Sequence, residues 1–298
     1  MSEPERRWTV PVGECGRLAE LLPDFGEVAR DGRLFVNGRR VNNTDVSVAA
    51  GDLVELYPRR RTRGTVRILG ECCGWVAVEK PADLPTEPDH YGSDSVITEV
   101  AALAAVPAKE LHALSRLDVG VSGVVVLAHT KAARGQAERL RRAGHFRRGY
   151  AAIATGRCVE EGAWSTPVRG REARTRFVTC HELRHSAQPA RLLALAPLTG
   201  RTHQLRVQAA EAGVPFVGDR RYGGMVRLVD ARGRVTRPPR ILLHCVRVAL
   251  GNPAGRVWTI HCGLPAAFGE AWTVLGGAGS ALEVFTENAL WARLEIPS

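Results

Sequence analysis

The segment Leu198-Thr199-Gly200-Arg201-Thr202-His203-Gln204-Leu205-Arg206 runs on through Val207-Gln208-Ala209-Ala210-Glu211-Ala212 to Gly213, and its reading organises the rest of the chain. A hydroxyl at Thr202 suits an N-cap, because it accepts from a free amide of the first turn, so the segment predicts a helix over 203–212. Gly213 would end it, since glycine takes the left-handed position past a helix end without steric cost. On that helix Leu205, Ala209 and Ala212 form a stripe that packs inward, and His203 and Arg206, three apart, share a face. Arg206 is therefore placed to meet a carboxylate. The loop that follows, Val214-Pro215-Phe216-Val217-Gly218-Asp219-Arg220-Arg221-Tyr222-Gly223, is dense in glycine and charge and is equally readable as a plain surface turn.

A carboxylate that could face Arg206 lies upstream. Ser115-Arg116-Leu117-Asp118-Val119-Gly120-Val121-Ser122-Gly123 runs directly into the apolar run Val124-Val125-Val126-Leu127, which reads as a buried strand. An aspartate on a glycine-containing turn at the mouth of such a strand is held by the scaffold and open to a ligand. Taken alone, the same residues also fit a turn ion pair between Arg116 and Asp118.

Around these two segments the pattern is mixed. Residues 75–79, 150–154, 191–195, 241–250 and 257–261 read as further strands, and helical patterns fall at about 95–105 and 131–143. In the second helix Gly144 is a suitable terminating residue, and Arg139, Arg141 and Arg142 lie where the helix dipole favours cations. The charge continues through His145, Arg147 and Arg148 beside Phe146 and Tyr150, a combination of cations and rings that suits a nucleic-acid groove as well as a solvated face. Nearer the N-terminus, Asn37-Gly38 between residues 34–36 and 39–41 is a strong hairpin signal, because both turn residues accept positive φ. A further strand is expected over 53–57, and a short helix over 17–22 stops at Pro23. The basic run over 58–64 lacks apolar content and reads as a linker that itself can touch phosphates.

The chain has 298 residues, 45% hydrophobic and 24% charged, with a formal net charge of +10. That composition excludes disorder, collagen and small disulfide scaffolds, and the length suggests two domains. All basic residues except Lys80, Lys109 and Lys131 are arginine, whose planar fork suits phosphates and base edges; arginine coding bias in a GC-rich genome is the competing explanation. The excess charge favours a polyanionic partner. The opening MSEPERRW does not resemble a secretory signal, and no apolar run approaches bilayer length, so a cytoplasmic protein without membrane contact is expected. Seven scattered cysteines with no C-x-x-C support neither a disulfide framework nor a thiolate zinc site. His181-Glu182-Leu183-Arg184-His185 spells the H-E-x-x-H of zinc peptidases, but it follows an apparent strand at 176–180 and precedes Pro189, so no metal is expected there.

Arg116-Leu117-Asp118 with Ser122-Gly123 resembles the H-R-L-D-x-x-T-S-G signature of the RluA-type pseudouridine synthases. Other pieces occur in the family's order. Lys80-Pro81 is similar to its early K-P, Tyr150 to its K-x-Y block, Gly200 through Val207 to G-R-T-H-Q-I/L-R-V, Pro215 through Gly223 to P-x-x-G-D-x-x-Y-G, and Leu243-His244 to its late L-H. The resemblance covers residues 66–270; residues 12–57 resemble the family's alpha-L RNA-binding domain without its basic Ser-Arg start. Ser115, Val121, Glu79, Asp83, Arg148, Gln208 and Asn252 depart from the pattern, and none of these changes removes Asp118, Tyr150 or Arg206.

The resemblance implies an α+β fold, with a mixed, largely antiparallel central sheet and flanking helices over 63–298 and a small alpha-L-like domain over 1–62. It implies an isomerase that converts uridine to pseudouridine in structured RNA, ribosomal RNA being favoured over transfer RNA, and that works as a monomer without cofactor or metal. Asp118 would act on the ribose of a flipped-out uridine, by attack at the anomeric carbon or by removing the neighbouring proton, with Arg206 holding it. Tyr150 would stack on the uracil and could serve as general base, Arg116 would fill the space the base leaves, and Leu205 would wall the pocket. Arg201 and His203 would bind substrate, although a capping or supporting role explains His203 equally well. Arg139, Arg141, Arg142, Arg147 and Arg148 would contact the RNA backbone. A non-catalytic RNA-binding protein on the same fold is the main alternative, and a zinc peptidase using His181, Glu182 and His185 the remoter one.

Overall fold

The computed structural model describes residues 6–30, 33–41, 43–57, 65–88, 94–157, 159–184, 186, 188–251 and 257–296. Its centre is a ten-stranded sheet. Eight strands run in the order Glu161–Trp164, Thr175–Leu183, Ala190–Pro197, Phe146–Thr155, Leu243–Gly251, Ser122–Ala128, Trp75–Lys80 and Arg67–Cys72, while Val257–His261 pairs with Leu243–Gly251 and His112–Ala113 with Ser122–Ala128. Every pairing is antiparallel except the contact of Ser122 and Gly123 with His244 and Cys245. The expected α+β class with a largely antiparallel sheet is therefore the observed one. The Arg67–Cys72 strand was not foreseen, because its exposed and half-buried residues give no clear apolar alternation.

Alternation along the strands builds a core on each face of the sheet, since successive side chains point to opposite sides. Tyr150, Ala152, Leu193 and Leu195 join one apolar cluster with Val96 and Val100 of helix Val96–Ala104, Ala137 and Leu140 of helix Lys131–Arg142, and Leu205 and Ala209. Ala151, Ile153, Leu192 and Ala194 join the other with Phe268 and Trp272 of helix Ala266–Val274 and with Trp291. Residues 6–57 carry a separate four-stranded sheet and their own small cluster, which includes Leu18, Leu34, Val36 and Val54. The hairpin at Asn37-Gly38 forms with φ of +49° and +73°. The short helix Leu18–Leu21 stops before Pro23 as expected; Pro23 then opens a separate 3-10 turn, Pro23–Phe25, that leads into Gly26–Arg30, because proline's fixed φ suits a first helical turn. The basic run over 58–64, and with it the expected boundary at 62/63, lies outside the described residues. Among the described residues no helix is long and apolar enough to cross a membrane.

At the parallel contact the two strands approach closely. Gly123 has φ +120°, and a Cβ there would collide with the backbone of Cys245. Beside it a buried polar chain crosses the strands: Arg240 Nη1 donates to Ser122 Oγ at 2.6 Å, Ser122 Oγ bonds His244 Nδ1 at 2.6 Å, and His244 Nε2 lies 3.1 Å from Cys262 Sγ. Burial, followed by the Arg240 charge, pushes the His244 imidazole down to about 3. The unfolded chain protonates this histidine near 6.5 and the folded one near 3, so stability is lost as pH falls through that window. We predict that His244 contributes on the order of 3 kcal/mol to the destabilisation between pH 6.5 and 4. Urea midpoints measured across that range should fall less steeply for His244→Gln than for the parent.

Candidate active site

Two elements present the central pair of groups. Asp118 stands on the turn between His112–Ala113 and Ser122–Ala128, where its carbonyl accepts from Val121 N at 2.9 Å. Neighbours fasten this turn from outside: Val119 O accepts from Asp83 N at 2.7 Å and from Lys80 Nζ at 3.2 Å, and Leu117 N donates to Thr86 Oγ1 at 3.1 Å. Arg206 stands on the helix Gln204–Glu211. That helix is shorter than expected, and Thr202 does not cap it. His203 takes the cap position with φ +58°, while the Gln204 side chain accepts from Arg201 N at 3.0 Å and from Thr199 Oγ1 at 2.7 Å, tying down the approach. Nor is Ala212 part of the inward stripe: it is exposed, and Gln208 is buried instead, donating to the carbonyls of Thr166 and Ala173 and accepting from Thr175.

Arg206 joins two aspartates. Its Nη1 donates to Asp118 Oδ2 at 2.9 Å, and its Nε and Nη2 donate to the two oxygens of Asp219 at 2.7 and 2.8 Å, a two-pronged bond that fixes the plane of the guanidinium. Asp219 is 1% exposed at its side chain and Asp118 24%, so one carboxylate is structural in position and the other faces open space. Burial works against the Arg206 charge, but the bonds to Asp219 and Asp118 outweigh it and raise its pKa above the ordinary arginine value. The guanidinium also lies 4.9 Å from the centre of the Tyr222 ring, whose hydroxyl is 2.8 Å from His203 Nδ1. His203 Nε2 is 3.7 Å from Asp118 Oδ2. Burial lowers the His203 pKa, and the nearby Asp118 carboxylate opposes that shift.

These groups open onto a cleft of about 1050 Å³ lined by Asp118, Arg206, Tyr150, Leu205 and His203, with Arg116 and Arg201 also on its walls. Tyr150 lies at the irregularity after Gly149 in its strand and is 5% exposed; burial pushes its phenol well above the ordinary tyrosine range. Arg116 does not pair with Asp118, as one reading of the turn allowed. It is exposed and bonds Glu87 at 3.2 Å, while the cation that meets the aspartate is Arg206. Arg201 Nε donates to Glu172 O at 3.0 Å. Of the five arginines expected to meet RNA, Arg141, Arg147 and Arg148 line the cleft, with Arg141 and Arg148 at 5.1 and 5.9 Å from the Phe146 ring; Arg139 and Arg142 are exposed on the same helix but outside the lining.

The H-E-x-x-H string does not form a zinc helix. His181 and Glu182 are consecutive residues of the Thr175–Leu183 strand, so they point to opposite faces, and Glu182 is taken by Arg184 at 2.7 Å and Arg191 at 2.6 Å. His185 lies outside the described residues.

Residues 74–211 match the family model for RNA pseudouridylate synthase. The ribosomal large subunit pseudouridine synthase D of Xylella fastidiosa is 32% identical over 256 residues, covering 75% of this chain and 76% of that one. The chain belongs to the RNA pseudouridylate synthase family. It is an RluA-type member and an isomerase that converts uridine to pseudouridine in RNA. The dual-specificity RNA pseudouridine synthase RluA of Escherichia coli is 29% identical, covering 60% of this chain and 84% of that protein. Among solved structures, the human RNA pseudouridylate synthase domain containing 4 superposes with a TM-score of 0.56 at 23% identity over 70% of this chain and 93% of that one, which establishes the shared fold.

Reading the sequence assigned no role to Asp219 or Tyr222. The signal was present in Gly218-Asp219 and Tyr222-Gly223, but a carboxylate on a glycine loop looks like a surface turn until its partner is known. With Asp219 neutralised, Arg206 loses the bond that orients it while keeping its own charge. Asp219→Asn should therefore lower the rate of pseudouridine formation on the order of 10–100-fold, the cost of a small misplacement, with RNA affinity in a filter-binding assay nearly unchanged.

Proposed function

We propose that Asp118 is the group that breaks and remakes the nucleoside linkage, acting on a uridine extruded from its RNA into the cleft. The observation that supports this is the single bond from Arg206 Nη1 to Asp118 Oδ2 at 2.9 Å, which leaves the rest of a partly open carboxylate free toward the cleft. The carboxylate either attacks the anomeric carbon or removes the neighbouring ribose proton; in both routes the freed uracil turns and rejoins the ribose through its fifth carbon, and no electrons or groups are lost. Arg206 offsets the charge of the aspartate and orients it. Tyr150 and Leu205 close on the uracil. The phenol of Tyr150 keeps its proton under burial, so we assign it ring contact and leave the general-base step to a group other than a phenolate.

Extruding a uridine costs a few kcal/mol, which backbone contacts must offset. We assign these to Arg141, Arg147 and Arg148 along the cleft, with Arg139 and Arg142 extending the same basic face, and assign to Arg116, exposed at the mouth, the space the base vacates. Arg201 and His203 complete the substrate contacts. Ribosomal RNA is the favoured substrate, supported by the large-subunit enzyme named among the relatives, and the protein acts as a cytoplasmic monomer on RNA without membrane.

Asp118→Asn keeps size and shape while removing the charge. It should reduce pseudouridine formation by on the order of a thousandfold or more, with RNA affinity shifting by less than about threefold; turnover at the parent rate would refute the assignment. Replacing Arg141 and Arg142 together by Ala should weaken RNA binding and lower the slope of log affinity against log salt by about 1–2, read from titrations at several salt concentrations. An unchanged slope would place the RNA elsewhere.

A further inference from the structure

The hairpin between the strands Arg67–Cys72 and Trp75–Lys80 turns on Cys73 and Gly74, whose φ values are +55° and +81°. This turn sets two thiols side by side. Cys72 Sγ and Cys73 Sγ are 2.9 Å apart, with Cys73 exposed and Cys72 half-buried, whereas Cys245 and Cys262 are buried in the core. The same turn seats the helix Lys131–Arg142. Gly74 O accepts from His129 N at 3.1 Å, and Trp75 Nε1 donates to Ala133 O at 2.9 Å. A Cβ on Gly74 would press within 3.0 Å of Ala133 and 3.1 Å of Thr130, whose hydroxyl caps that helix. The residues that directly follow the thiol pair, Gly74 and Trp75, are thus bonded to the start of the helix that carries Arg139, Arg141 and Arg142.

The geometry points to a redox-active dithiol at Cys72 and Cys73 that reacts with low-molecular-weight disulfides of the glutathione type and, once oxidised, loosens the seating of the arginine-bearing helix. The thiolate of Cys73, the more accessible sulfur, attacks one sulfur of the disulfide, forming a mixed disulfide on Cys73 and releasing one thiolate, which takes up the proton Cys73 gave. Cys72 then loses its proton and attacks the Cys73 sulfur, forming the Cys72–Cys73 bond and releasing the second thiol. The chain gives up two hydrogens and two electrons, and the small disulfide is reduced to two thiols. The order follows from access: Cys73 is exposed and Cys72 half-buried, so an incoming disulfide meets the Cys73 sulfur first.

Adjacent Cα atoms are about 3.8 Å apart, short of the ~4.4–6.8 Å of relaxed disulfides, so the closed ring is strained and readily reduced. Closing it twists the turn at Gly74, and that twist is passed to Thr130 and Ala133. The RNA consequence rests on the basic helix facing RNA as proposed above, and binding by the reduced protein checks that reading separately.

The test incubates the full chain with oxidised glutathione, maps the peptide containing Cys72 and Cys73 by mass spectrometry without reductant, and measures affinity of the same sample for ribosomal RNA. The expected result is a peptide lighter by two hydrogens and free of glutathione, a several-fold weaker affinity, and recovery of both on reduction. Cys72→Ser should retain one glutathione on Cys73, and the double Cys72→Ser/Cys73→Ser variant should show no change in affinity. A peptide that keeps both thiols, a lasting glutathione on Cys73 of the parent, or a closed ring with unchanged affinity would overturn the proposal.

Discussion

The guanidinium of Arg206, shared between a buried and an open aspartate, is the constraint on which the site depends. Two donors go to Asp219 and one to Asp118, so the cation is committed in plane and position before any substrate arrives. A lone carboxylate facing a cleft would be free to rotate and would repel the phosphates of an approaching RNA. Paired with a fixed arginine it is aimed, and its charge is offset locally. The Tyr222 ring against the face of that arginine and His203 beside the aspartate complete the enclosure.

The sheet makes this pairing possible by bringing together segments far apart in the chain. The Asp118 turn leads into the Ser122–Ala128 strand, whose short parallel contact with His244 and Cys245 fixes its start. Lys80, fully buried, holds that turn from behind, its ammonium donating to the carbonyls of Pro81, Leu84 and Val119. Burial first, and then Arg240, depresses this lysine to about 7, opposed by Asp83 and Asp118. Three carbonyl acceptors satisfy the three donors of its charged form, so the turn is tied by a group whose charge is costly to bury but fully bonded.

Much of this arrangement is legible in the amino-acid sequence. The apolar run after Asp118 marks a buried central strand, and the motif order aligns Asp118, Tyr150 and Arg206 with one family. The features that were not legible share a cause: they are polar side-chain contacts whose partners are set by the folded path of the chain and not by local propensity. Thr202 obeys a local capping rule, yet Gln204 holds the approach to the helix by reaching back to Thr199 and Arg201. Gln208 breaks the apolar stripe because carbonyls of the loop between the strands Glu161–Trp164 and Thr175–Leu183 are there to receive it. Asp219 reads as a loop charge for the same reason, its partner being known only once the helix and loop are folded together. The H-E-x-x-H string shows the converse, a local pattern whose meaning is removed by the strand in which it lies.

The most direct measurement is a structure of this protein bound to a target RNA. The account predicts one uridine out of its stack and inside the cleft, its anomeric carbon within about 3.5 Å of an Asp118 oxygen, with Arg206 still bridging Asp118 and Asp219. An RNA that binds with every uridine stacked, or an extruded uridine whose ribose faces away from Asp118, would contradict it.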